Sequence, residues 1–343
     1  MQRILVKELN WLGDVVMSLP ALHALRRAFP ESSISVLIKR PLASFFDGAE
    51  WLEEVIAYDV SAGLVGVADR SRVVSALRDR RFDLAVLFPK SFEAAFWAAM
   101  AGIPRRIGFA TQGRSVLLTD RVPFAVELRR RHQLFDYLHL LRETLGIDGD
   151  ASDCTPAVYR PHRDTMRDWL EQRRRRSGRL VALAVAAAYG PAKEWPAEHF
   201  APLIDLLAER YDAECVLVGG PEEIAKCEQV VSASRHGGLI AAGQTNVGEA
   251  MALLSLCDGF VGNDSGSMHV AGAVGIPTVG IYGSTNPQRT SPLGPRTKVL
   301  YDQIECSPCL ERTCRFGHYD CLRRIEAERV PAALEQLGAL AHG

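Results

Sequence analysis

The chain has 343 residues, enough for two domains of ordinary size, and its 48% apolar and 24% charged residues are typical of a globular protein. The formal net charge of −1 gives no support to a nucleic-acid-binding role. The N-terminus lacks a signal-peptide pattern, and no uninterrupted apolar run reaches the roughly 18 residues of a membrane span. We therefore expect a cytoplasmic protein without a transmembrane helix.

The first half of the chain alternates strand and helix patterns. Short apolar runs that predict strands are separated by stretches with apolar residues at helical spacing. Such a rhythm predicts a doubly wound, parallel α/β sheet. In chain order the elements are a strand at 4–6, a helix at 15–29, a strand at 34–38, a strand at 55–56, a helix at 71–80 and a strand at 84–88.

A very basic stretch from 161 to 178 divides this half from the next. We interpret it as a solvated helix end and linker, with attraction to an anionic membrane surface as the alternative. The rhythm then restarts, with strands at 180–187, 215–218, 259–262 and 277–282 and helices at 199–211, 248–257 and 268–274. We predict Rossmann-like domains over 1–165 and 178–322, facing a cleft, and a C-terminal helix within 323–343 that packs back on the first domain.

Gly13 and Asp14 follow the first strand, at the carboxyl edge where open parallel sheets bind ligands. Gly13 permits a tight turn that leaves room for a substrate. Asp14 stands next to the start of the following helix, where it could accept a proton from a ligand. The alternative is that Asp14 only caps the helix.

Two loops in the second half suit a diphosphate. Lys193 follows the first strand of that half and offers a compact cation, although it could be an ordinary loop lysine beside a core Trp195. Asp264, Ser265 and Gly266 lead into a helix whose free N–H groups can bind an anion, with His269 about one turn further. Helix caps and a core histidine are the alternative for that segment.

Two further loops fall at the same edge. Glu223, with Glu222 beside it, could bind ribose hydroxyls, as acidic residues do in dinucleotide sites. Thr245 lies in a loop that could line a base pocket.

Taken in order, these motifs resemble glycosyltransferase family 9, the ADP-heptose heptosyltransferases, over essentially the whole chain. The segments that carry the resemblance are 12–15, 190–196 and 263–269. The phrase at 190–196 and the cysteine segment 306–321 are most similar to the type II subgroup. The resemblance implies the GT-B fold, with an acceptor-binding first domain and an ADP-sugar-binding second domain.

The resemblance also implies the chemistry. It implies inverting transfer of heptose from ADP-heptose to the heptosyl-Kdo2-lipid A inner core during lipopolysaccharide core synthesis, with no cofactor. Asp14 matches the catalytic base, Lys193 the donor lysine, and Asp264 a further donor residue. Glu223 matches the ribose carboxylate and Thr245 the adenine loop. The alternatives are a type I enzyme acting on Kdo2-lipid A and a GT-B nucleotide-sugar epimerase.

Four cysteines cluster near the end of the chain as Cys306, Cys309, Cys314 and Cys321, with His318 among them. Four thiolates, or three with His318, could complete a tetrahedral zinc site. Zinc motifs usually separate their two pairs by more residues. We expect plain thiols or a disulfide and keep a structural zinc ion as the alternative.

Arginines in the first half suggest how an anionic, lipid-anchored acceptor is held. Arg105, Arg106 and Arg114 could contact carboxylates or phosphates, and the run 129–131 adds further charge. The alternative is a solvated surface. We expect the first half to face the acceptor, with salt-sensitive peripheral contact at the cytoplasmic face of the inner membrane.

Overall fold

The computed structural model of the protein describes residues 2–61 and 63–340. It divides into two compact units, Met1–Cys154 and Thr155–Gly343. Each unit contains one six-stranded sheet in which every strand pairs with its neighbours in parallel. This is the predicted GT-B class of two Rossmann-like sheets.

The first sheet has the order β3-β2-β1-β4-β5-β6, so the direction of winding reverses between β1 and β4. Helix α1 packs with α5 and α2 packs with α3, which gives helical cover to the sheet. The elements are β1 Arg3–Lys7, α1 Leu12–Ala28, β2 Ser33–Lys39, β3 Glu54–Tyr58, α2 Gly63–Arg80, β4 Leu84–Leu87, α3 Phe92–Met100, β5 Arg105–Phe109, β6 Asp120–Val122, α4 Val126–Arg130 and α5 Leu134–Leu145.

The second sheet has the order β12-β11-β10-β7-β8-β9 and reverses between β7 and β10. Its elements are α6 Arg160–Glu171, β7 Leu180–Ala184, α7 Ala197–Tyr211, β8 Glu214–Leu217, α8 Ile224–Ala233, β9 Leu239–Ile240, α9 Val247–Leu254, β10 Gly259–Asn263, α10 Gly266–Ala273, β11 Thr278–Tyr282, α11 Pro287–Thr290, β12 Thr297–Tyr301, α12 Asp320–Arg323 and α13 Arg329–Gln336.

The boundary between the units differs from the predicted one. It lies at 154/155, whereas we predicted a first domain that ends at 165. Helix α6 belongs to the second unit because Met166 and Leu170 are buried and the helix packs against α9. Its many charged residues lie on the exposed side, which is why the sequence suggested a linker.

The C-terminal helix also differs from its prediction. Val330, Ala333 and Leu334 of α13 are buried in the core of the second unit, and α13 packs against β11. The segment therefore completes the second domain, whereas we had predicted a return to the first. Residues 341–343 of the predicted segment lie outside the described residues.

In both sheets the central strands are fully buried, so the loops that follow them are the places where polar side chains emerge. Leu84 to Leu87 and Leu180 to Leu183 have no more than trace exposure. Within the described residues, no helix combines the length and apolarity needed to cross a membrane.

Candidate active site

Lys193 and Asp264 meet at the reversal point of the second sheet. Lys193 follows β7 and Asp264 follows β10, the two strands between which the winding reverses. The Lys193 ammonium lies 2.6 Å from Asp264 Oδ2, and the two side chains are only 14% and 4% exposed. Thr285 donates a hydrogen bond of 2.6 Å to the same oxygen. A ligand at this edge therefore meets a cation whose position is already fixed.

The loop that carries Lys193 has a specific local cause. Gly190 adopts φ +142°, and a Cβ there would lie 2.7 Å from the carbonyl oxygen of Arg312. Pro191–Lys193 then form one short 3-10 turn. Beyond the turn, the backbone N–H of Trp195 donates a hydrogen bond of 2.8 Å to Asn263 Oδ1. That bond joins the loop after β7 to the end of β10.

The charge on Asp264 is stabilised by its neighbours. Burial opposes ionisation, but the His269 imidazole and the Lys193 ammonium together hold the pKa of Asp264 at about 2. His269 Nε2 is 3.8 Å from Asp264 Oδ1, too far for a hydrogen bond, so its influence is electrostatic. Asp264 is therefore an anion that orients the lysine rather than a group that exchanges protons near neutral pH.

Several buried polar atoms around this pair have no hydrogen-bond partner among the described residues. They are Asn263 Nδ2, Ser265 Oγ, His269 Nδ1 and Ser284 Oγ. Ser265 is the N-cap residue of α10, but its side chain makes no capping bond. Buried polar groups are normally paired, so this cluster indicates a polar ligand. Together with Lys193 and the N-terminus of α10, it suits the phosphoryl oxygens of a diphosphate.

Glu223 and Thr245 remain predictions. The Glu223 carboxylate accepts a hydrogen bond of 2.8 Å from the Gly220 N–H, which closes a turn after β8. Burial raises the pKa of Glu223 above its usual value. Thr245 is half-buried in the loop between β9 and α9. Both lie at the predicted edge of the second sheet.

Asp14 lies at the reversal point of the first sheet, in the first turn of α1. The N-cap residue of that helix is Trp11, so Asp14 is not the N-cap residue of α1. The side-chain amide of Gln133, at the start of α5, donates two hydrogen bonds. One is 2.8 Å long and reaches Asp14 Oδ1, and the other is 2.7 Å long and reaches the Tyr137 hydroxyl. The sequence analysis did not identify Gln133, because a single glutamine far along the chain gives no pattern.

Glu8 is a second carboxylate near Asp14 that the sequence analysis missed. It is fully buried directly after β1 and accepts hydrogen bonds from Ser18 Oγ and the Leu9 N–H. Burial raises the pKa of Glu8 to about 7, and burial lowers the pKa of the adjacent Lys7 to about 7. The sequence did contain a signal for this pair, because Lys7 and Glu8 directly follow the apolar run 4–6.

The structure does not support the predicted acceptor role of three arginines. Arg114 is completely buried and donates to the carbonyls of Pro89, Ser91 and Phe109, and burial lowers the pKa of its guanidinium to about 10. Arg106 donates to backbone carbonyls, and Arg105 pairs with Asp120 at 2.8 Å. Arg105 and Arg106 begin β5, so they lie at the sheet edge opposite the one that carries Asp14. Arg114 follows β5, and its guanidinium satisfies three backbone carbonyls at once.

The first unit also has cations beside a cavity and after β4. A cavity of about 270 Å³ is lined by Arg40 and Arg72, by their carboxylate partners Asp59 and Asp69, and by Tyr58. The Tyr58 hydroxyl donates a hydrogen bond of 2.9 Å to Oδ1 of Asn10, which lies four residues before Asp14. Lys90 follows β4 and forms a 2.8 Å ion pair with the buried Asp136. The sequence analysis singled out none of these cations.

The four clustered cysteines line one small cavity of about 20 Å³ and are free thiols. Across the described residues, no three His, Cys, Asp or Glu side chains form a group that could hold a metal ion. The segment is attached to the loop that carries Lys193, since the backbone N–H of Ala192 donates a hydrogen bond of 3.0 Å to the Arg312 carbonyl. The Tyr189 hydroxyl donates 2.6 Å to the Leu310 carbonyl. The cysteine segment thus supports the loop that carries Lys193.

Comparisons with known proteins find relatives over nearly the whole length of the chain. The model of a family described as glycosyltransferase family 9 (heptosyltransferase) matches residues 70–320. Lipooligosaccharide heptosyltransferase 2 of Haemophilus ducreyi is 29% identical over 98% of this chain and 99% of its own. Lipopolysaccharide heptosyltransferase 2 of Escherichia coli K12 is 30% identical, with 98% of both chains covered. The solved structure of E. coli ADP-heptose lps heptosyltransferase II has a TM-score of 0.83 at 26% identity, covering 98% of both chains.

Proposed function

We propose, since this chain belongs to glycosyltransferase family 9, the heptosyltransferases, that it is a type II enzyme of lipopolysaccharide core synthesis. It transfers L-glycero-D-manno-heptose from ADP-heptose to the heptosyl-Kdo2-lipid A inner core, with inversion at the anomeric carbon. The observation that carries the proposal is the buried Lys193–Asp264 pair beside a cluster of unpaired polar atoms.

The second unit binds the donor and stabilises the departing ADP. Lys193 offers N–H groups that Asp264 does not use, and these bind the phosphoryl oxygens as negative charge develops on them. Ser265, His269 and the N-terminus of α10 add further contacts to the diphosphate. Glu223 binds the ribose hydroxyls, and Thr245 lies against the adenine.

The first unit supplies the base. Asp14 takes the proton of the acceptor hydroxyl while that oxygen forms a bond to the anomeric carbon. The bond between the anomeric carbon and the phosphate oxygen breaks, and ADP departs with its electron pair. Gln133 fixes one oxygen of Asp14 through a 2.8 Å bond, which orients the carboxylate for the acceptor.

The acceptor is held by cations of the first unit. Arg40 and Arg72, which line the cavity of about 270 Å³ and pair there with Asp59 and Asp69, and Lys90 bind its anionic groups. This assignment replaces Arg105 and Arg106, which begin β5 at the sheet edge opposite Asp14, and Arg114, whose buried guanidinium donates to three backbone carbonyls.

The reaction requires no metal ion or organic cofactor, because a lysine and a helix N-terminus supply the positive charge at the diphosphate. The protein works in the cytoplasm, in peripheral contact with the inner membrane, where its acceptor is anchored. We expect ADP release to be unchanged after exhaustive treatment with a chelator. Loss of activity that Zn²⁺ restores would contradict a metal-free reaction.

The decisive test is turnover of ADP-heptose with heptosyl-Kdo2-lipid A, by wild type and Asp14→Ala, monitored by ADP release and acceptor mass. We expect the wild type to add one heptose and the variant to add none. Modification of bare Kdo2-lipid A alone would indicate a type I enzyme. Conversion of the donor without acceptor would indicate an epimerase. No mass gain on either acceptor would overturn the heptosyltransferase assignment.

A further inference from the structure

Helix α3 of the first unit presents a stripe of large apolar side chains to solvent. Phe92, Phe96 and Met100 follow one another at intervals of four residues and are 46%, 39% and 46% exposed. The rings of Phe92 and Phe96 are stacked, with centroids 6.1 Å apart. The stripe is therefore continuous along the whole helix.

The opposite side of the same helix is also apolar. Ala95, Trp97 and Ala98 are buried in the first core, and Glu93 is the only charged residue of α3. A helix that is apolar all round is normally enclosed on every side. Val116 lies in the 3-10 turn Arg114–Leu117, which packs beside α3. It is 84% exposed and extends the apolar surface. Contiguous exposed apolar surface of this kind marks an interaction site.

Arginines surround the stripe. Arg70 pairs with Glu93 at 2.6 Å, and Arg78 donates 2.7 Å to the carbonyl of Met100. Arg106 donates 2.6 Å to the carbonyl of Leu117, next to Val116. Three guanidinium groups therefore border the stripe, and α3 itself carries one acidic residue, Glu93. An apolar surface with a basic border matches an anionic bilayer, in which aromatic rings insert while arginines remain at the headgroups.

We propose that Phe92, Phe96, Met100 and Val116 form the surface by which this protein docks on an anionic phospholipid bilayer. The proposal deepens the proposed function, because it rests on an acceptor that is anchored in lipid. Helix α3 follows β4, so its Phe92 end begins at the sheet edge that carries Asp14. Docking through α3 brings that edge to the membrane surface. A second copy of the chain fits less well, because two like-charged borders would repel.

The test compares Phe92→Ser/Phe96→Ser with wild type in co-sedimentation with vesicles of phosphatidylethanolamine and phosphatidylglycerol. Val126→Ser is the matched control, since Val126 is 59% exposed elsewhere in the same unit. We expect the double variant to lose about tenfold or more in partitioning and the control to retain it. Wild-type binding falls when the vesicles are phosphatidylcholine alone and when salt shortens the Debye length. Val116→Ser, on a separate element, provides a second variant if the first folds poorly.

Equal partitioning of wild type and the stripe variants would overturn the docking surface. So would a wild-type dimer that the double variant converts to a monomer without any change in vesicle binding. Turnover of a deacylated, water-soluble acceptor separates this proposal from the enzymatic one, because the double variant should turn it over as the wild type does. If the wild type fails on that acceptor yet binds vesicles through the stripe, only the proposed function fails.

Discussion

Each sheet has a buried carboxylate next to its point of reversal, and the two carboxylates have opposite properties. Glu8 follows β1 and Asp264 follows β10, each next to the point where its sheet reverses. Burial raises the pKa of Glu8 to about 7, although two hydrogen bonds and the neighbouring Lys7 act to lower it. Burial beside His269 and Lys193 leaves the pKa of Asp264 at about 2.

The difference shows that partners, more than burial, decide what a carboxylate at such an edge can do. Asp264 keeps its charge across the physiological range and so can hold a lysine for an anionic ligand. Glu8 can change its charge near neutral pH, in the unit where we propose that a proton is taken up. The edge of the first sheet is therefore suited to proton transfer, and the edge of the second sheet is suited to binding an anion.

The largest effect that separates the two edges is expected from Asp14→Asn. Removing the proposed base should lower kcat by about 10²–10⁴-fold while ADP still binds the second unit normally. ADP release gives the rate and calorimetry gives the affinity for ADP. Asp148→Asn, at a carboxylate that is 85% exposed, is the control and should behave as wild type. Unchanged turnover by Asp14→Asn would show that the base lies elsewhere.

At the second edge, Lys193→Met should lower kcat by about 10²–10³-fold and also weaken ADP binding, because the cation opposite the diphosphate is lost. The single variant leaves Asp264 charged and buried without its lysine, which destabilises the fold. The double variant Lys193→Met/Asp264→Asn removes that charge and should recover stability but not activity. Recovery of both would mean that Lys193 is only structural.

The pH dependence of stability tests the raised pKa of Glu8. Its folded pKa of about 7 exceeds its unfolded value, so the folded state binds the extra proton and stability falls as pH rises from about 4.5 to about 7. Glu8→Gln removes this loss, which is at most on the order of 3 kcal/mol. Denaturant unfolding at pH 5 and pH 8 measures it. If wild type and Glu8→Gln change in parallel, the carboxylate does not titrate in this window.

The smallest effect is expected from Gln133→Leu, which keeps the size of the side chain and removes its two N–H bonds. We expect kcat to fall about tenfold with little change in KM for ADP-heptose, because Asp14 remains but is less well oriented. Steady-state kinetics with both substrates gives the two constants. An increase in the KM for ADP-heptose alone would argue against an orienting role.

The sequence was sufficient to predict the architecture and much of the second edge. Apolar runs such as 180–187 and 259–262 identify buried strands, and the polar residues after them must emerge at one edge of a parallel sheet. Lys193, Asp264, Ser265 and His269 were found in this way, and the structure brings them together. Strand endings are local features, so one sequence is enough to locate them.

Features that depend on distant partners could not be predicted. Gln133 acquires its place only when α5 packs against α1, 119 residues away from Asp14 in the chain. The sequence suggested that Arg114 is a surface cation, but its guanidinium is buried and donates to three backbone carbonyls. Charge at 161–178 suggested a linker, because the two buried side chains of α6, Met166 and Leu170, are outnumbered by arginines. Composition gives no information about which of two faces a charged helix buries.

The backbone hydrogen bonds between the cysteine segment and the loop that carries Lys193 also have a consequence for local unfolding. The Ala192 N–H bonds to Arg312, the Leu310 N–H to Ser284, and the Ser284 N–H to Ala192, so these amides form a closed circuit across three loops. Amides linked in this way open as one cooperative unit, and their hydrogen exchange should share one opening free energy. The rigidity of Lys193 is therefore a property of the whole circuit, and loosening any one of its three loops would release the other two.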